Sequence, residues 1–485
     1  DLENNPRFKL PILRDQNIFQ ADFFAPDSEW VLASRNLSFD WLVGNPPWNE
    51  FRANEREDRH VRDWVASHAD SCPIGGNQIA EAFVWRSLKQ LKKDAVAGLV
   101  LPAMTLFKKE STRFRQQLFK SVHTWCVGNF SNLAYVLFAG RAERPAMTLF
   151  FSPLDGQEYE GPILTFSPFI MNQKANRSAR EGAKRDTWSI VVNGSELTEI
   201  KVSEAATGNM QPWKLAMWGT FRDGKLLRKV AKRFPALRDY LAARNLTPPH
   251  QGFELREASK SREPIEHMPE LAGKIRINFS KLKGCGRIFT FPQNAISVIS
   301  TNDANVRKGR SKLPMLVSQP PHVIVDASRR FAIYSNKFIA VPPGQIGIAG
   351  PPHAKNILKA LSVYLSSDFV TYHQFFTSPQ WGISTTLATL DALKHLPVPL
   401  ENLSEAEIRQ WADLRDALAN DGADSKTVFQ QMIDEVNQRV IRLLGLGKAE
   451  RILIEDFIRW NMQIIKGKVP RIVTKSPDLK TINGY

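Results

Sequence analysis

Apolar positions in the first third of the chain form short continuous runs that alternate with runs of helical spacing. The run Phe39–Gly44 predicts a buried strand that stops at Asn45-Pro46-Pro47-Trp48. Residues 78–93 have the apolar spacing of a helix, and a turn at 94–98 leads to a second buried strand at 99–101. We also expect strands at 17–24, 126–128 and 147–151 and a basic helix at 111–120. Because strands that alternate with helices form parallel units, this pattern predicts an α/β fold with a largely parallel, doubly wound sheet.

The pattern changes along the chain, and we predict four parts: 1–155, 156–250, 251–403 and 404–485. The second part has no clear period and predicts an irregular connecting region. The third has short apolar runs broken by Pro and Gly, which indicates mixed α+β structure. The fourth is predicted to be helical, with an apolar stripe from Val428 to Leu443 that stops at Gly445 and packs on a core.

The composition excludes several classes of protein. Of the 485 residues, 43% are hydrophobic and 24% are charged, which is ordinary for a folded chain. No apolar run reaches the roughly 18 residues of a membrane span, and the chain begins with a polar, acidic segment unlike a signal peptide. Three widely separated cysteines favour neither a disulfide scaffold nor a zinc site, and nine histidines show no ligand spacing. We therefore predict a cytoplasmic protein without a structural metal.

Basic residues outnumber acidic ones, 65 to 49, and the net charge of +16 favours a polyanionic partner or an anionic membrane surface. Residues 271–340 hold twelve basic and two acidic residues, and therefore +10 of this charge. Such a concentration suits phosphate neutralisation. The predicted DNA contacts in this region are Arg307, Lys308, Arg310, Lys312, Arg329 and Arg330.

Each of these basic groups has an alternative interpretation. The cluster at 307–312 is either a phosphate-tracking loop or solvated surface. Arg329 and Arg330 contact either base edges or only phosphates, which the sequence does not decide. A second group either lines the rim of a cleft or forms the outer face of a helix; it comprises Lys108, Lys109, Arg113 and Arg115.

The tetrapeptide Asn45-Pro46-Pro47-Trp48 carries the most specific chemical signal. It follows a predicted buried strand, and ligands of doubly wound sheets bind beyond the carboxyl ends of the strands. The two prolines stiffen the loop and remove two N–H donors, which leaves their carbonyls to face a ligand. Asn45 offers an amide oxygen and Trp48 a flat face for stacking. The set suits a planar, amine-bearing substrate such as adenine; the alternative is a rigid turn after a strand.

The tetrapeptide resembles the catalytic motif of the gamma-class N6-adenine DNA methyltransferases of restriction–modification or phage-exclusion systems, which use S-adenosylmethionine. Residues 21–24, Ala-Asp-Phe-Phe, are similar to the family's cofactor segment. The resemblance implies that Asp22 accepts from the cofactor amine, that Phe23 packs on its ring and that Asn45 borders the same site. Residues 134–147 resemble the region that supplies a second aromatic beside the flipped base, a role for which Phe138 is our candidate, unless it is an ordinary core residue.

The C-terminal half is similar to the target-recognition region of single-chain, type IIG-like members. The resemblance thus implies a partial Rossmann-like methyltransferase sheet, a mixed α+β target-recognition domain and C-terminal helices. One departure is clear. The family has a Gly-rich cofactor loop ahead of its catalytic motif, whereas Gly44 is the only glycine ahead of Asn45. We therefore expect an N-terminally truncated chain, whose loop comes from a preceding part of the same enzyme or from a separate subunit.

Together these features predict site-specific adenine-N6 methylation of double-stranded DNA with S-adenosylmethionine by a nucleoid-associated enzyme with no membrane partner. The adenine would be flipped out of the duplex and held between Trp48 and Phe138. Asn45 and the Pro46 carbonyl would orient its amine for in-line attack on the cofactor methyl. The alternatives are a non-catalytic DNA-recognition module, and a methyltransferase that acts on RNA or on protein glutamine amides.

Overall fold

The computed structural model describes residues 18–137, 144–154, 156, 159–169, 174–176, 187–255, 264–282, 285–420 and 426–462. The described residues form two compact units, one up to Met217 and one from Trp218 onward. The finer division into four parts stays a prediction. None of the helices in these ranges is long and apolar enough to cross a membrane.

Within the described ranges the first unit has one large sheet, one hairpin and seven α-helices. Its strands are β1 (Phe39–Gly44), β2 (Leu91–Pro102), β3 (Val122–Asn129), β4 (Ala146–Pro153), β5 (Pro162–Phe166), β6 (Lys174–Asn176), β7 (Thr187–Ser189) and β8 (Leu197–Lys201). Its helices are α1 (Glu29–Ser34), α2 (Arg59–Ser67), α3 (Ile79–Leu88), α4 (Thr112–Ser121), α5 (Ala134–Leu137), α6 (Val202–Ala205) and α7 (Gln211–Trp218). The large sheet has the order β1-β2-β4-β3-β5-β8, and β6 pairs with β7.

The large sheet is mixed, which corrects the prediction of a largely parallel one. β1 runs parallel to β2 and β3 runs parallel to β5, but β4 lies antiparallel between β2 and β3. The chain turns back from β3 into its neighbour β4 instead of crossing over the sheet, and such a return produces an antiparallel pair. The carboxyl ends of β1 and β2 and the amino end of β4 consequently lie at one edge, where Pro102 pairs with Ala146.

The first strand has the predicted bounds but is not buried. β1 is the outermost strand of the sheet, and Trp41 and Val43 are 73% and 81% exposed. The next strand, β2, buries Ala97, Leu99 and Leu101 on the face that α3 contacts. The apolar run was therefore a correct signal for a strand but not for its position, because no described strand lies on the outer side of β1.

Two other local predictions were wrong for identifiable reasons. Residues 94–98 were expected to turn, but they continue β2, because after an irregularity opposite Asp40 the residues Val96 to Gly98 pair with Trp41 to Val43 of β1. The described residues after 17 form a turn instead of a strand. In that turn Asp22 Oδ1 accepts from the Phe24 N–H at 2.8 Å, and Phe24 is buried in a cluster of aromatic and aliphatic side chains.

The described residues of the second unit form three small sheets and nine α-helices. Its strands are β9 (His250–Gln251), β10 (Ile265–His267), β11 (Ile275–Ile277), β12 (Ile296–Val298), β13 (Asn305–Arg307), β14 (His322–Val325), β15 (Ala332–Ser335), β16 (Ile339–Ala340) and β17 (Ile346–Ala349). Its helices are α8 (Phe221–Arg233), α9 (Leu237–Ala242), α10 (Lys312–Val317), α11 (Lys355–Leu365), α12 (Asp368–Thr377), α13 (Leu390–Lys394), α14 (Glu405–Asn420), α15 (Lys426–Leu444) and α16 (Lys448–Asp456).

The core of the second unit lies around the antiparallel sheet β15-β14-β17-β9. Every residue of β14 is buried, and α11 packs against β14 and β15. On α15 the buried stripe includes Val436, Val440 and Leu444, and the helix ends before Gly445, whose φ is 62°. The stop is as predicted, but the stripe is shorter and shifted, because Val428 is 44% exposed and Leu444, not Leu443, is buried at its end. The prediction of an irregular region over 156–250 is wrong for the part that forms α7, α8 and α9.

We expect substitutions at buried and at exposed positions of the large sheet to differ in their effect on stability. Leu149 at the centre of β4 is fully buried, so Leu149→Ala should lower the free energy of unfolding by about 3 kcal/mol. Val43→Ala on exposed β1 should change it by less than about 0.5 kcal/mol. Urea unfolding followed by circular dichroism measures both variants, and equal losses would contradict the exposed position of β1.

Candidate functional site

The tetrapeptide forms a loop at the carboxyl end of β1. Pro46 is buried, whereas Asn45 and Pro47 are exposed and Trp48 is partly buried. The Trp48 indole N–H donates to the Val100 carbonyl of β2 over 3.3 Å. Since β1 and β2 are parallel neighbours, this bond fixes the ring beside the ends of both strands while the Asn45 amide stays open to a ligand.

The residues after the tetrapeptide are held by the turn that starts α3. The Phe51 N–H donates to the Asn77 carbonyl over 3.0 Å, and the Ile79 N–H donates to the Asn49 carbonyl over 3.1 Å. Asn77 has a φ of 59°, a left-handed conformation that asparagine tolerates better than most residues. Two backbone bonds therefore clamp the loop on its far side, and the prolines stiffen its near side.

A buried carboxyl group joins three segments behind this loop. Glu81 of α3 accepts from the Gly75 N–H and from the Ser111 hydroxyl, each over 2.6 Å. It is 1% exposed, and burial raises its pKa to about 7 despite these bonds and the nearby Arg115. Its position ties the α3 turn to the start of α4. Sequence reasoning missed Glu81, and the one available signal was a carboxylate within an otherwise apolar stretch of α3.

Two members of the second basic group have different positions: Arg115 is buried, and Lys108 lies near the tetrapeptide loop. Arg115 is buried and donates to the carbonyls of Gly208, Thr105 and Lys108, and burial lowers its pKa to about 10. The prediction that it lies on a cleft rim or an outer helix face is therefore wrong. Lys108 Nζ lies 3.8 Å from the carboxylate of Glu50, two residues after Trp48, so this cation is near the loop.

The predicted cofactor residues lie in the turn before α1. Asp22 Oδ2 contacts His60 Nδ1 at 2.8 Å, and both side chains are about two-fifths exposed, at 43% and 42%. Phe23 stacks on Phe83 at 4.7 Å and also on Trp30 at 6.2 Å. Asp22 thus has the exposure and chemistry of an acceptor for a cofactor amine. Phe23 differs from the prediction, because the protein's own rings already stack on it.

One apolar cluster brings this turn and the loop together. Its buried members are Phe24, Phe51, Val61, Ile79 and Ala82, and Phe23 and Phe83 pack against it. Phe24 follows Asp22 and Phe23, whereas Phe51 follows the tetrapeptide. The described structure therefore places the candidate cofactor residues and the candidate catalytic loop on the same small core.

Phe138 lies outside the described residues, but the segments on either side of it are anchored at the same sheet edge. The Phe130 N–H donates to the Ala146 carbonyl over 2.9 Å, and the Ala103 N–H donates to the Pro145 carbonyl over 2.9 Å. Because Ala103 directly follows β2, these bonds hold both flanks next to the loop side of the sheet. The role of Phe138 stays a prediction.

The basic loop 307–312 is exposed but partly neutralised. Arg307 and Arg310 lie 3.7 and 3.3 Å from the carboxylate of Glu254, a residue distant in sequence. Lys308 and Lys312 are exposed and make no ion pair with a described residue. The loop is therefore available to a polyanion, with less free charge than its sequence suggests.

Arg329 and Arg330, predicted to contact DNA, are engaged within the second unit. Arg329 is fully buried and donates to Gln374 Oε1 and to the backbone carbonyls of Asp326 and Thr389. Arg330 is bound by Asp326, with 2.9 Å between Nε and Oδ2, and by the Leu282 carbonyl at 2.8 Å. Both guanidinium groups hold the second unit together. Arg329 has no path to a base edge, and Arg330, 26% exposed, is already paired with Asp326.

No group of three His, Cys, Asp or Glu side chains within the described ranges has the arrangement of a metal site.

Residues 2–135 match the family model for the Eco57I restriction-modification methylase. The match covers 134 of the 485 residues. The matched range includes the Asp22 turn, the tetrapeptide loop and Glu81. No curated protein matches the chain in a sequence comparison.

Solved structures of restriction–modification proteins resemble the chain. The type IIL enzyme MmeI in complex with DNA has 11% identity and a TM-score of 0.45, over 90% of this chain and 58% of MmeI. The type IIG restriction endonuclease BpuSI has 11% identity and a TM-score of 0.31, over 86% of this chain and 55% of BpuSI. A modification subunit of a putative type I restriction enzyme from Vibrio vulnificus YJ016 has 15% identity and a TM-score of 0.25, over 37% and 38%. The chain spans less than two thirds of the length of each of these proteins.

The pKa of Glu81 predicts a pH-dependent stability. In the unfolded chain the carboxyl group has its ordinary pKa of 4.5, whereas in the fold its pKa is about 7. As the pH rises, the group therefore ionises in the unfolded chain first. The neutral Glu81 therefore adds about 3 kcal/mol to the free energy of unfolding below pH 4.5, and this contribution is lost between pH 4.5 and 7.

Glu81→Gln removes this titration, while its amide can accept from the Gly75 N–H and donate to the Ser111 hydroxyl. Urea unfolding at pH 5 and pH 8 should therefore show the variant gaining on the wild type as the pH rises. The exposed Glu57→Gln serves as the matched control and should follow the wild type. Parallel behaviour of both variants would contradict a neutral, buried Glu81.

Proposed function

We propose that the chain is the catalytic and target-recognition part of an enzyme that methylates adenine N6 at specific DNA sites with S-adenosylmethionine. The observation that carries the proposal is the loop after β1, in which Asn45 is exposed and Trp48 is bonded to Val100. The loop combines an acceptor and a stacking plate at the edge of the sheet where ligands bind. The match of residues 2–135 to a restriction–modification methylase supports a nucleic-acid substrate.

The proposed chemistry follows from acceptors without competing donors. Pro46 and Pro47 have no N–H groups, so an exocyclic amine would donate to the Asn45 amide oxygen and to the Pro46 carbonyl. Two such bonds localise the nitrogen lone pair and orient it away from the ring plane. Trp48 would stack on the base, and its bond to Val100 means that little of its freedom is lost on binding. Catalysis would then result mainly from positioning, without a strong general base.

An adenine inside a duplex cannot reach this loop, so the base would be flipped out before reaction. Phe138 is the proposed second aromatic beside it. The exposed loop 307–312 would contact phosphates through Lys308 and Lys312, with Arg307 and Arg310 shared with Glu254. These roles imply double-stranded DNA as partner and a cytoplasmic, nucleoid-associated enzyme.

S-adenosylmethionine, when bound, would supply the methyl group. The exposed carboxylate of Asp22 would accept from its adenine amine, and Asn45 would border it. Phe23 would support this site from behind, because Phe83 and Trp30 stack on its ring. The Gly-rich loop for the rest of the cofactor would come from a preceding segment or a second subunit. The unpaired outer side of β1, with exposed Trp41 and Val43, leaves room for the strand that would carry it.

Asn45→Ala should abolish methyl transfer by the complete enzyme, a loss of at least about 100-fold, because one of the two acceptors that orient the amine is removed. DNA affinity should survive. The measurement is transfer of a tritiated methyl group to duplex DNA beside an equilibrium DNA-binding titration. Asn36→Ala, an exposed asparagine in the same unit, is the matched control and should retain activity.

Methyl transfer by Asn45→Ala at a near wild-type level would contradict the catalytic role of Asn45. The same assay with RNA and with protein in place of DNA tests the acceptor, since tetrapeptides of this type also serve RNA bases and glutamine amides in the resembled enzymes. Transfer to RNA alone would overturn the DNA assignment but retain the loop chemistry.

A non-catalytic DNA-recognition module is the second candidate, favoured by the candidate cofactor acceptor Asp22, whose two oxygens already contact the Phe24 N–H and His60. Titration calorimetry of the chain with S-adenosylmethionine separates the two. Because only the Asp22 side of the site is available, we expect binding weaker than about 100 µM, recovered when the Gly-rich segment or subunit is added. Tight binding by the chain alone would contradict the missing loop. No recovery under any addition, with DNA binding intact, would favour the module.

A further inference from the structure

Helix α8 presents a stripe of basic side chains that no role above uses. Lys225, Arg228 and Lys232 are exposed and follow one another at spacings of three and four residues. Such residues share one face of a helix. At about 1.5 Å per residue, the stripe from Lys225 to Lys232 is about 10 Å long. A DNA duplex carries about six phosphate charges over that length.

The stripe has little carboxylate around it. None of its three cations forms an ion pair with a described residue. The one acidic residue of α8, Asp223, is buried, where it accepts from Thr220 and from the Tyr372 hydroxyl. Glu450 binds Lys229 over 2.8 Å and also attracts Lys225 electrostatically, so it offsets charge at one end of the stripe. The charge of Arg228 and Lys232 is available to an external anion, unlike that of Arg307 and Arg310.

An exposed aromatic ring extends the same face. Phe221 is 77% exposed at the first position of the helix, four residues before Lys225. Its neighbour Arg222 lies over the ring at 5.9 Å. A basic stripe that ends in an exposed ring suits a nucleic acid, because phosphates pair with the cations and a base or sugar packs on the ring.

The opposite face of α8 rules against a bilayer as the occupant. Leu226, Leu227 and Val230 form the apolar side of the helix, and all three are buried in the second unit. A helix that binds a membrane surface inserts its apolar side into the lipid. The anion-binding side of α8 therefore offers charge and one ring but no apolar face.

We propose that the face of α8 formed by Phe221, Lys225, Arg228 and Lys232 is a second DNA-contacting surface, which follows the phosphate backbone independently of the loop 307–312. The inference rests on the proposed function for the choice of duplex DNA as the anion. Because the cations meet phosphates and not base edges, the surface would raise affinity for all sequences equally and would leave target choice to other residues.

The test is the salt dependence of DNA binding by the full chain. The variant Lys225→Gln/Arg228→Gln/Lys232→Gln should flatten the plot of log affinity against log salt by up to about 2.7, since each lost phosphate contact contributes about 0.9. Its affinity deficit relative to the wild type should therefore shrink about 40-fold between about 50 and 200 mM salt. Fluorescence anisotropy with a labelled random-sequence duplex of about 30 base pairs measures this.

A control triple variant carries the same charge change on other exposed cations of the second unit: Lys355→Gln/Arg409→Gln/Lys448→Gln. It should keep the wild-type slope. Lys225→Arg/Lys232→Arg retains the charge and should also keep it. Phe221→Ala should lower affinity roughly 5- to 150-fold without changing the slope, as expected for a stacking contact.

Equal slopes for the wild type and the α8 triple variant would overturn the proposal, as would equal flattening by the control. An α8-dependent association with vesicles of about 20% phosphatidylserine, without one for DNA, would show the wrong anion and also overturn it. Absence of any DNA binding by the wild-type chain would instead refute DNA as the substrate. Loss of methylation in Asn45→Ala is independent of all these outcomes, so failure of the two proposals is distinguishable.

Discussion

The parallel pairing of β1 with β2 is the constraint on which the candidate site depends. It brings the ends of two strands together, so that the indole of Trp48 can bond to the Val100 carbonyl and the segment after β2 can bond to Pro145. Antiparallel β4 then returns to the same edge. Three segments distant in sequence meet there because of the directions of the strands. Because the tetrapeptide is already stiff, it loses little conformational entropy when a ligand binds.

A second layer of interactions keeps that edge in place from behind. Glu81 links the turn before α3 to the start of α4, and Arg115 links α4 to the carbonyl of Gly208. Both groups are buried, and both have pKa values shifted toward the neutral form by burial. Buried groups of this kind bring conformational specificity at a cost in stability. The two side chains most perturbed near the site are therefore supports and not reactants.

Sequence reasoning succeeded where a signal was local. The strand bounds of β1, the tetrapeptide after it, and the stop of α15 at Gly445 each follow from a few neighbouring residues. It failed where a partner from elsewhere decided the outcome. The neighbours of a strand determine whether Trp41 is buried, pairing with β1 extends β2 through a polar stretch, and the return from β3 makes the sheet mixed. None of these partners is adjacent in sequence.

Charge shows the same division most clearly. Counting residues within 271–340 gives +10, but the fold brings in Glu254 and Asp368 from outside that range. It also buries Arg329 and binds Arg330 to Asp326. Helix α8 differs, because its only carboxylate is buried and, apart from Lys229 on Glu450, its exposed lysines and Arg228 form no ion pair with a described residue. What attracts a polyanion is the charge left after internal pairing. A helix face whose cations form no ion pair with a described residue can therefore contribute more to phosphate binding than a longer basic segment whose arginines are already bound.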